Sequence, residues 1–468
     1  MRPRTRKRLV VLRRRLILWI VLPLAFLLTL RLAWGWEAAG RLAAVRAQLR
    51  EAGVRFEPPA ANAPDDNNPA AALGKAVEAF TFTSDEQEKV WGDGTVGWED
   101  YVRTPAQDVL AHDIVERNQE AFAWVDEAAR RGGPIPAEPA EIVSRLGAAR
   151  QLSRALLLAM QLEHARGDDA AALRALQRMH VIANIVDHGG DLIHNLVAIA
   201  IRATMASGVE YMEPSLHLRA EDGSFPQAHA VLKMLNDPAP GDSVAWNFEQ
   251  EIGKTAAFGE QYGGLNAWWI RPLRDDEVAR TQQLLIGLVP GVRAGNWADS
   301  NRLMAGTSVT WAEINLNAII HWSNSNALTT QPRIMTLHFR GRTDTLAAAV
   351  LLAARLRAAE HGALPKAVGE LAPEYLPAAP EDPFSPVHAP LQFRIDAGGP
   401  TVWSVGENRT DEHAVVRFDG TGKKLRRYDN INPRSQADMI YGAAWRTPAP
   451  APAAPPAAPI TQPASMSH

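Results

Sequence analysis

The sequence predicts a mainly α protein with one N-terminal membrane-spanning helix and a small C-terminal α+β module. Three observations carry this: an arginine-rich start followed by one apolar run, a strong helical repeat between Glu141 and Met212, and short β-rich runs after Leu391. They divide the chain into a basic leader (1–15), an apolar signal anchor (16–36), a helical stalk and linker (37–69), a helical domain (70–330), an α+β module (331–442) and a disordered Pro/Ala-rich tail (443–468).

The basic residues Arg2, Arg4, Arg6, Lys7, Arg8, Arg13, Arg14 and Arg15 precede Leu16, and the first acidic residue is Glu37. This asymmetry holds the N-terminus in the cytoplasm. Leu16 to Leu30 is free of charge, Arg31 can extend to the far interface, and Trp34 and Trp36 suit the headgroup belt. Pro23 is compatible with a membrane helix, where neighbouring groups take up the freed carbonyl. The expected location is the bacterial inner membrane, crossed once, with the bulk in the periplasm or outside. A cleaved signal peptide is the alternative, because Ala33 and Gly35 are small residues at cleavage spacing; the long leader and long apolar run favour the retained anchor.

With 468 residues, 46% hydrophobic and 22% charged, the chain can bury one large core or two modest ones. Nine of its 49 basic residues lie at or before Arg31, so the remainder is clearly acidic against 52 Asp and Glu. That excess argues against nucleic acid as a partner. The absence of cysteine removes disulfides, thiolate catalysis and zinc-thiolate sites, and suits an envelope protein held together by packing.

Glu37 to Ala52 continues the first helix, with Gly53 as its C-terminal cap, and the Pro-, Asp- and Asn-rich segment Glu57 to Pro69 reads as a linker. Thr104-Pro105-Ala106-Gln107 forms a capping box that starts a helix running to about Arg130. Ile142, Leu146, Ala149, Leu152, Leu156 and Met160, then Leu173, Leu176, Met179, Ile182 and Val186 beyond the Gly167-Asp168 break, describe an antiparallel helix pair. A third helix carries Ile193, Val197, Ile201, Thr204 and Gly208 on one face. The phrase Leu158 to Leu176 resembles a tetratricopeptide-type hairpin over one repeat, without a second copy at that period. Further on, Asp275-Asp276 caps a helix to Leu288 that Pro290-Gly291 stops. The tryptophans Trp246, Trp268, Trp269, Trp297, Trp311 and Trp322 are expected in packing rather than on a sugar-binding surface.

Thr345 to Glu360 reads as one amphipathic helix, closed by Gly362. After it come Leu364-Pro365, Asp382-Pro383-Phe384-Ser385, Leu391-Gln392-Phe393-Arg394, Val402-Trp403-Ser404-Val405-Gly406-Glu407-Asn408 and a late Asp429. This order resembles the C-terminal region of type II secretion major pseudopilins over Arg342 to Tyr441. The resemblance implies a helix packed on a small antiparallel sheet, and a calcium ion in the loop after the Trp403-Ser404 strand. There Asn408, Asp411 and Glu412 offer oxygens, but Arg409 intrudes and an ordinary turn is the preferred reading. Independently of the resemblance, Val402–Val405 and Val415–Phe418 are β-rich runs, the latter ending in an Asp419-Gly420 turn. The chain departs from a pilin in lacking the processing site and in placing about three hundred residues between the apolar helix and the module.

Gly92-Asp93-Gly94-Thr95-Val96-Gly97 matches G-x-G-x-x-G by letters only, since no buried strand precedes it. No G-x-S-x-G, H-E-x-x-H, S-x-x-K or G-x-x-x-x-G-K-[ST] occurs. One polar constellation stands out: Asp187, His188, Asp191 and His194, with His180 two turns back. At helical spacing these side chains can converge on a divalent metal, although Gly189-Gly190 interrupts the helix and caps are the commoner role for such residues. The expected function is a non-catalytic, membrane-anchored envelope scaffold with a protein partner and no resident cofactor. A metal-dependent envelope hydrolase, or an accessory of a type II secretion or pilus-like system, is the alternative.

Overall fold

The computed structural model describes residues 17–54, 68–91, 103–131, 145–188, 192–219, 221–237, 243–249, 271–293, 295–305, 325–417 and 438–446. The leader before Ile17, the Gly92 to Gly97 run, Asp191, Trp268, Trp269, Trp311, Trp322, Asp429 and the chain beyond Arg446 lie outside the described residues. In chain order the helices are α1 (Leu22–Glu51), α2 (Pro69–Ala79), α3 (Ser84–Trp91), α4 (Pro105–Arg117), α5 (Gln119–Arg131), α6 (Leu146–Ala165) and α7 (Asp169–Asp187). They continue with α8 (Leu192–Met212), α9 (Ser224–Leu235), α10 (Arg271–Arg293), α11 (Trp297–Ala305) and α12 (Ser325–His361). Strands β1 (Gln392–Asp396), β2 (Gly399–Ser404) and β3 (Met439–Gly442) precede a last helical turn, α13 (Ala443–Arg446).

Apolar side chains from Trp19 to Trp36 are exposed along α1 and the π-helical turn Ile17–Val21 that leads into it. Further along the same helix Ala38, Val45 and Leu49 turn inward, and α10 packs beside it, tied by Arg41 to Asp276. The helix ends with Gly53 at φ 73°, the left-handed cap its position predicts. The antiparallel pair is α6 and α7, joined through Gly167 at φ 81°, and Asp168 caps α7 by accepting the Ala171 N–H at 2.8 Å. Leu152, Leu156, Leu173 and Leu176 are all buried in it. Helix α8 lies across both, approaching so closely that a Cβ on Gly208 would stand 2.8 Å from Leu176. Helix α9 packs on α7 and α12, α2 packs on α5, and α12 packs on α8.

The three strands form one antiparallel sheet in the order β1-β2-β3, with Phe393 opposite Val402 and Val402 opposite Tyr441. Helix α12 covers β2, so the C-terminal region is a helix on a small sheet. Its apolar side chains, among them Val402 and Tyr441, belong to the same hydrophobic core as Leu156 and Val45, and residue 330 falls inside α12. Buried glutamates of α8 and the turn after it hold the sheet: Glu210 accepts the Gly442 N–H at 2.9 Å, and Glu213 pairs with Arg355 at 2.6 Å and Arg446 at 2.5 Å.

Several expectations are corrected. The capping box at Thr104 and Gln107 is present, but the predicted helix to Arg130 divides at Asn118 into α4 and α5. The buried Asn118 side chain donates to the Ile114 and Thr81 carbonyls and accepts the Thr81 N–H, competing with the helix ladder. On α8 the inward face is His194, Ala198, Ile201, Met205 and Val209, while Ile193 is exposed, because the buried side carries polar residues that a purely apolar reading skips. Helix α10 starts before Asp275 and runs through Pro290 to Arg293, giving up the one ladder bond that the Pro290 nitrogen would have donated, and Gly291 allows close approach to Ser300 of α11. Helix α12 begins at Ser325, twenty residues before Thr345. Residues 415–417 are not a strand; the third strand is β3, which follows Asp438. Finally, Ala443 to Arg446 is not tail: Ala444 and Trp445 pack with Trp403 and Ile440 on the outer side of the sheet.

Candidate functional site

The polar constellation seen in the sequence is reorganised by a residue it did not include, Arg202 of α8. Asp187, at the end of α7, is buried, and its carboxylate accepts from Arg202 Nη2 at 2.8 Å and from Asn195 Nδ2. Its backbone carbonyl accepts from Ser243 Oγ at 3.0 Å and Asn247 Nδ2 at 2.9 Å. His188, one position on, is exposed and bonds back to the Asn184 carbonyl at 2.7 Å, because successive helical positions point about 100° apart. His194 is buried on α8. Among the described residues Asp187, His188 and His194 do not gather ligand atoms around a common point, so the structure does not bring these three together as a metal site. The trio that does so, Glu360, His361 and Glu374, lies exposed on the surface.

From Asp187 the network runs inward. Arg202 Nη2 also donates to Asn184 Oδ1 at 2.9 Å, which leaves the Asn184 amide nitrogen facing His180 Nε2 at 2.8 Å. His180 Nε2 is therefore the acceptor, and the neutral ring carries its proton on Nδ1. His180 and Arg202 line a cavity between α7, α8, α9 and α12, together with Asp237, His338, Gly341 and Arg342. It has about 20 Å³ of room for water, enough for roughly one molecule. Past His180, Met234 and Asp237 it meets an open groove of about 640 Å³ edged by His229, Lys233 and Tyr375.

The electrostatics of this cavity are set by burial and by the two arginines. Burial first, then the Arg202 charge, depresses His180 to about 4, against a smaller opposing pull from Asp237. Burial, Arg342 and Arg202 take His338 to about 3. Burial also lowers Arg342, whose Nη1 donates to the Asp237 carbonyl at 2.9 Å. Both imidazoles are neutral at pH 7.

Two other polar clusters serve the fold. In the loop after β2, Asn408 Oδ1 accepts the Thr410 N–H at 3.1 Å, Asp411 accepts from the Trp403 indole at 3.0 Å and the His413 N–H at 2.8 Å, and Glu412 pairs with Arg417. Asp438 closes the loop by accepting the Glu412 and Ala414 N–H groups, and burial raises it to about 6. At the opposite end of the α6–α7 pair, Ser215 Oγ, His164 and Asp169 form a chain with contacts of 2.9 and 2.5 Å. The second oxygen of the buried Asp169 holds the His217 N–H at 2.7 Å, so the chain ties the α6–α7 turn to the segment after α8.

No protein-family model, curated protein or solved structure matches the chain. A function for it is argued from its own geometry. Arg202, Asn184 and His338 sit on helices among apolar neighbours, and Arg342 in the polar run Arg340 to Asp344, so none belongs to a local motif; the one available signal was charge on the buried stripes of α8 and α12.

Proposed function

We propose that the protein is a single-pass, membrane-anchored scaffold or binding protein of the bacterial envelope, with its N-terminus in the cytoplasm and its helical domain on the exported side. One observation carries the reading. Along one continuous helical stretch, Trp19–Glu51, the apolar side chains from Trp19 to Trp36 find no cover in the fold, and the next turns bury Ala38, Val45 and Leu49, the last two in the domain core. A helix that is apolar and uncovered at one end and packed at the other suits a membrane on the first half and a rigidly attached domain on the second. The arginine-rich leader supports the orientation. The role is that of a docking body for another envelope protein, with the helical domain held close to the bilayer.

The absence of native cysteine makes the topology directly testable. Val109→Cys places one thiol on α4 at a position 72% exposed. In intact cells with a permeable outer membrane, a membrane-impermeant maleimide should label it without lysis of the inner membrane. Labelling only after lysis would reverse the orientation, and recovery of the protein in the supernatant after a carbonate wash would remove the anchor.

A further inference from the structure

We infer that the cavity between α7, α8, α9 and α12, with room for one oxygen-sized atom, takes an oxygen of the oxyanion group, a carboxylate or a phosphate, of a small ligand whose remainder lies in the adjoining groove. The argument does not depend on the membrane reading. It begins with an imbalance between donors and acceptors. Arg202 is only 7% exposed, it lines the cavity, and its Nε and Nη1 groups have no protein partner. His180 lines the same cavity, and its Nδ1, which carries the ring proton, has no protein partner either. A buried donor left without an acceptor costs about 1–3 kcal/mol, and more when it is charged. These three groups belong to two residues, on different helices, that both line this cavity. A group that accepts without donating satisfies all of them, and carboxylate and phosphate are the common groups of that kind.

Charge sharpens the inference. From α7 the cavity is faced by His180, with Asp187 behind Arg202; from α8 by Arg202; from the end of α9 by Asp237; and from α12 by His338 and Arg342. Lys233 and His229 stand at the groove. With both imidazoles neutral, two arginines balance two aspartates, so an entering anion needs one further positive charge. His338 can supply it by taking a proton, since an oxyanion nearby opposes the burial and the arginine charges that keep it neutral, while His180 keeps its Nε2 lone pair on the Asn184 amide. Binding is then coupled to proton uptake and tightens as the pH falls. The groove gives the rest of the ligand an apolar wall of Ala230, Leu232, Met234 and Pro377.

Thermal melting of the full-length chain in detergent tests this, with inorganic phosphate, acetate and chloride compared at matched ionic strength. Phosphate, acetate or both should raise Tm above chloride by about 3 °C or more at saturation. A rise with phosphate alone assigns a phosphate-bearing ligand, and a rise with acetate alone a carboxylate. In the acetate arm the rise should grow from about pH 8 to about pH 6, a range in which acetate itself does not titrate. Arg202→Gln should abolish it. Because that variant strips Asp187 of its partner and can fail to fold, His180→Leu is the deciding variant: it removes one of the donors and leaves the Arg202 to Asp187 pair in place. Equal melting in the three salts overturns the proposal, and so does a rise that survives in His180→Leu.

Discussion

Two helices of this chain, Trp19–Glu51 and Leu192–Ser215, are each long and apolar enough to cross a membrane, yet the apolar stretch of the first has no residue buried and that of the second is half buried. The difference lies in the minority residues. The apolar half of α1 carries one charged residue, Arg31, whereas α8 buries His194 and carries Asn195, Arg202 and Glu210 on the same side, these three engaged by other parts of the protein. A helix whose inward face is polar and partnered is a core element of a folded domain. One whose apolar residues find no cover needs a different solvent.

The sharpest way to break the comparison is to place the same charge in both helices. Ile201→Asp buries an unpaired carboxylate at a position 1% exposed, and should destabilise by more than about 4 kcal/mol, abolishing the cooperative melt followed by circular dichroism. Leu27→Asp, at a position 58% exposed, should leave that melt unchanged and instead release the protein from carbonate-washed membranes. Equal loss of folding in both would mean that α1 is a core helix too.

Next in size is Leu156→Ala in the buried face of α6. It should cost about 2–5 kcal/mol by opening a cavity, measured as a shift in the denaturant midpoint at constant slope. An unchanged midpoint would mean the face has been assigned wrongly.

Acid should act on the α7, α8 and α12 side. His180 and His338 are held near 4 and 3 in the fold against 6.5 in the open chain. Between these values the unfolded chain binds more protons, so stability is full above about pH 6.5 and falls on acidification, by up to about 1.4 kcal/mol per pH unit for each ring. Asp438, lifted to about 6, works in the opposite sense, because the folded state takes its proton first. The net trend expected from pH 7 to 5 is a loss, and His338→Gln should flatten it. A Tm independent of pH in the wild type would place these rings in water.

The smallest effects are expected from glycine. Gly208→Ala on α8 sets a methyl 2.8 Å from Leu176 and 3.1 Å from Met160, and should cost about 1–3 kcal/mol. Gly40→Ala on α1 meets nothing within 4 Å and should stabilise by about 0.5–1 kcal/mol through helix propensity. Melting both variants side by side tests whether the two helices differ in packing as described; a loss in both would refute it.

Much of the helical framework was legible because its signals are local. The Thr104 box, the Gly167-Asp168 turn, the Gly53 cap and the leucines of α6 and α7 each depend on residues within a few positions of one another. The candidate site was legible only at its edges. Asp187 and His180 were noticed as polar residues at helical spacing, but a metal reading followed because their partner, Arg202, lies on the next helix and carries no motif. His188 looked equivalent to Asp187 in the sequence, yet one step along a helix put it on the other side.

The sequence by itself determined the class of the protein: one N-terminal apolar helix, an acidic, cysteine-free and mainly helical body, and a little β-structure at the end. Those properties follow from composition and from periods of two to four residues, which act before any long-range contact forms. Tertiary structure alone decided what the polar residues of the core do. Gly442 reaches Glu210 across 232 positions, Arg446 reaches Glu213 across 233, and Arg202 meets His180 and His338 only where three helices cross. A pairing at such separation leaves no trace in a local pattern, because what selects it is the cost of burying each of those groups alone.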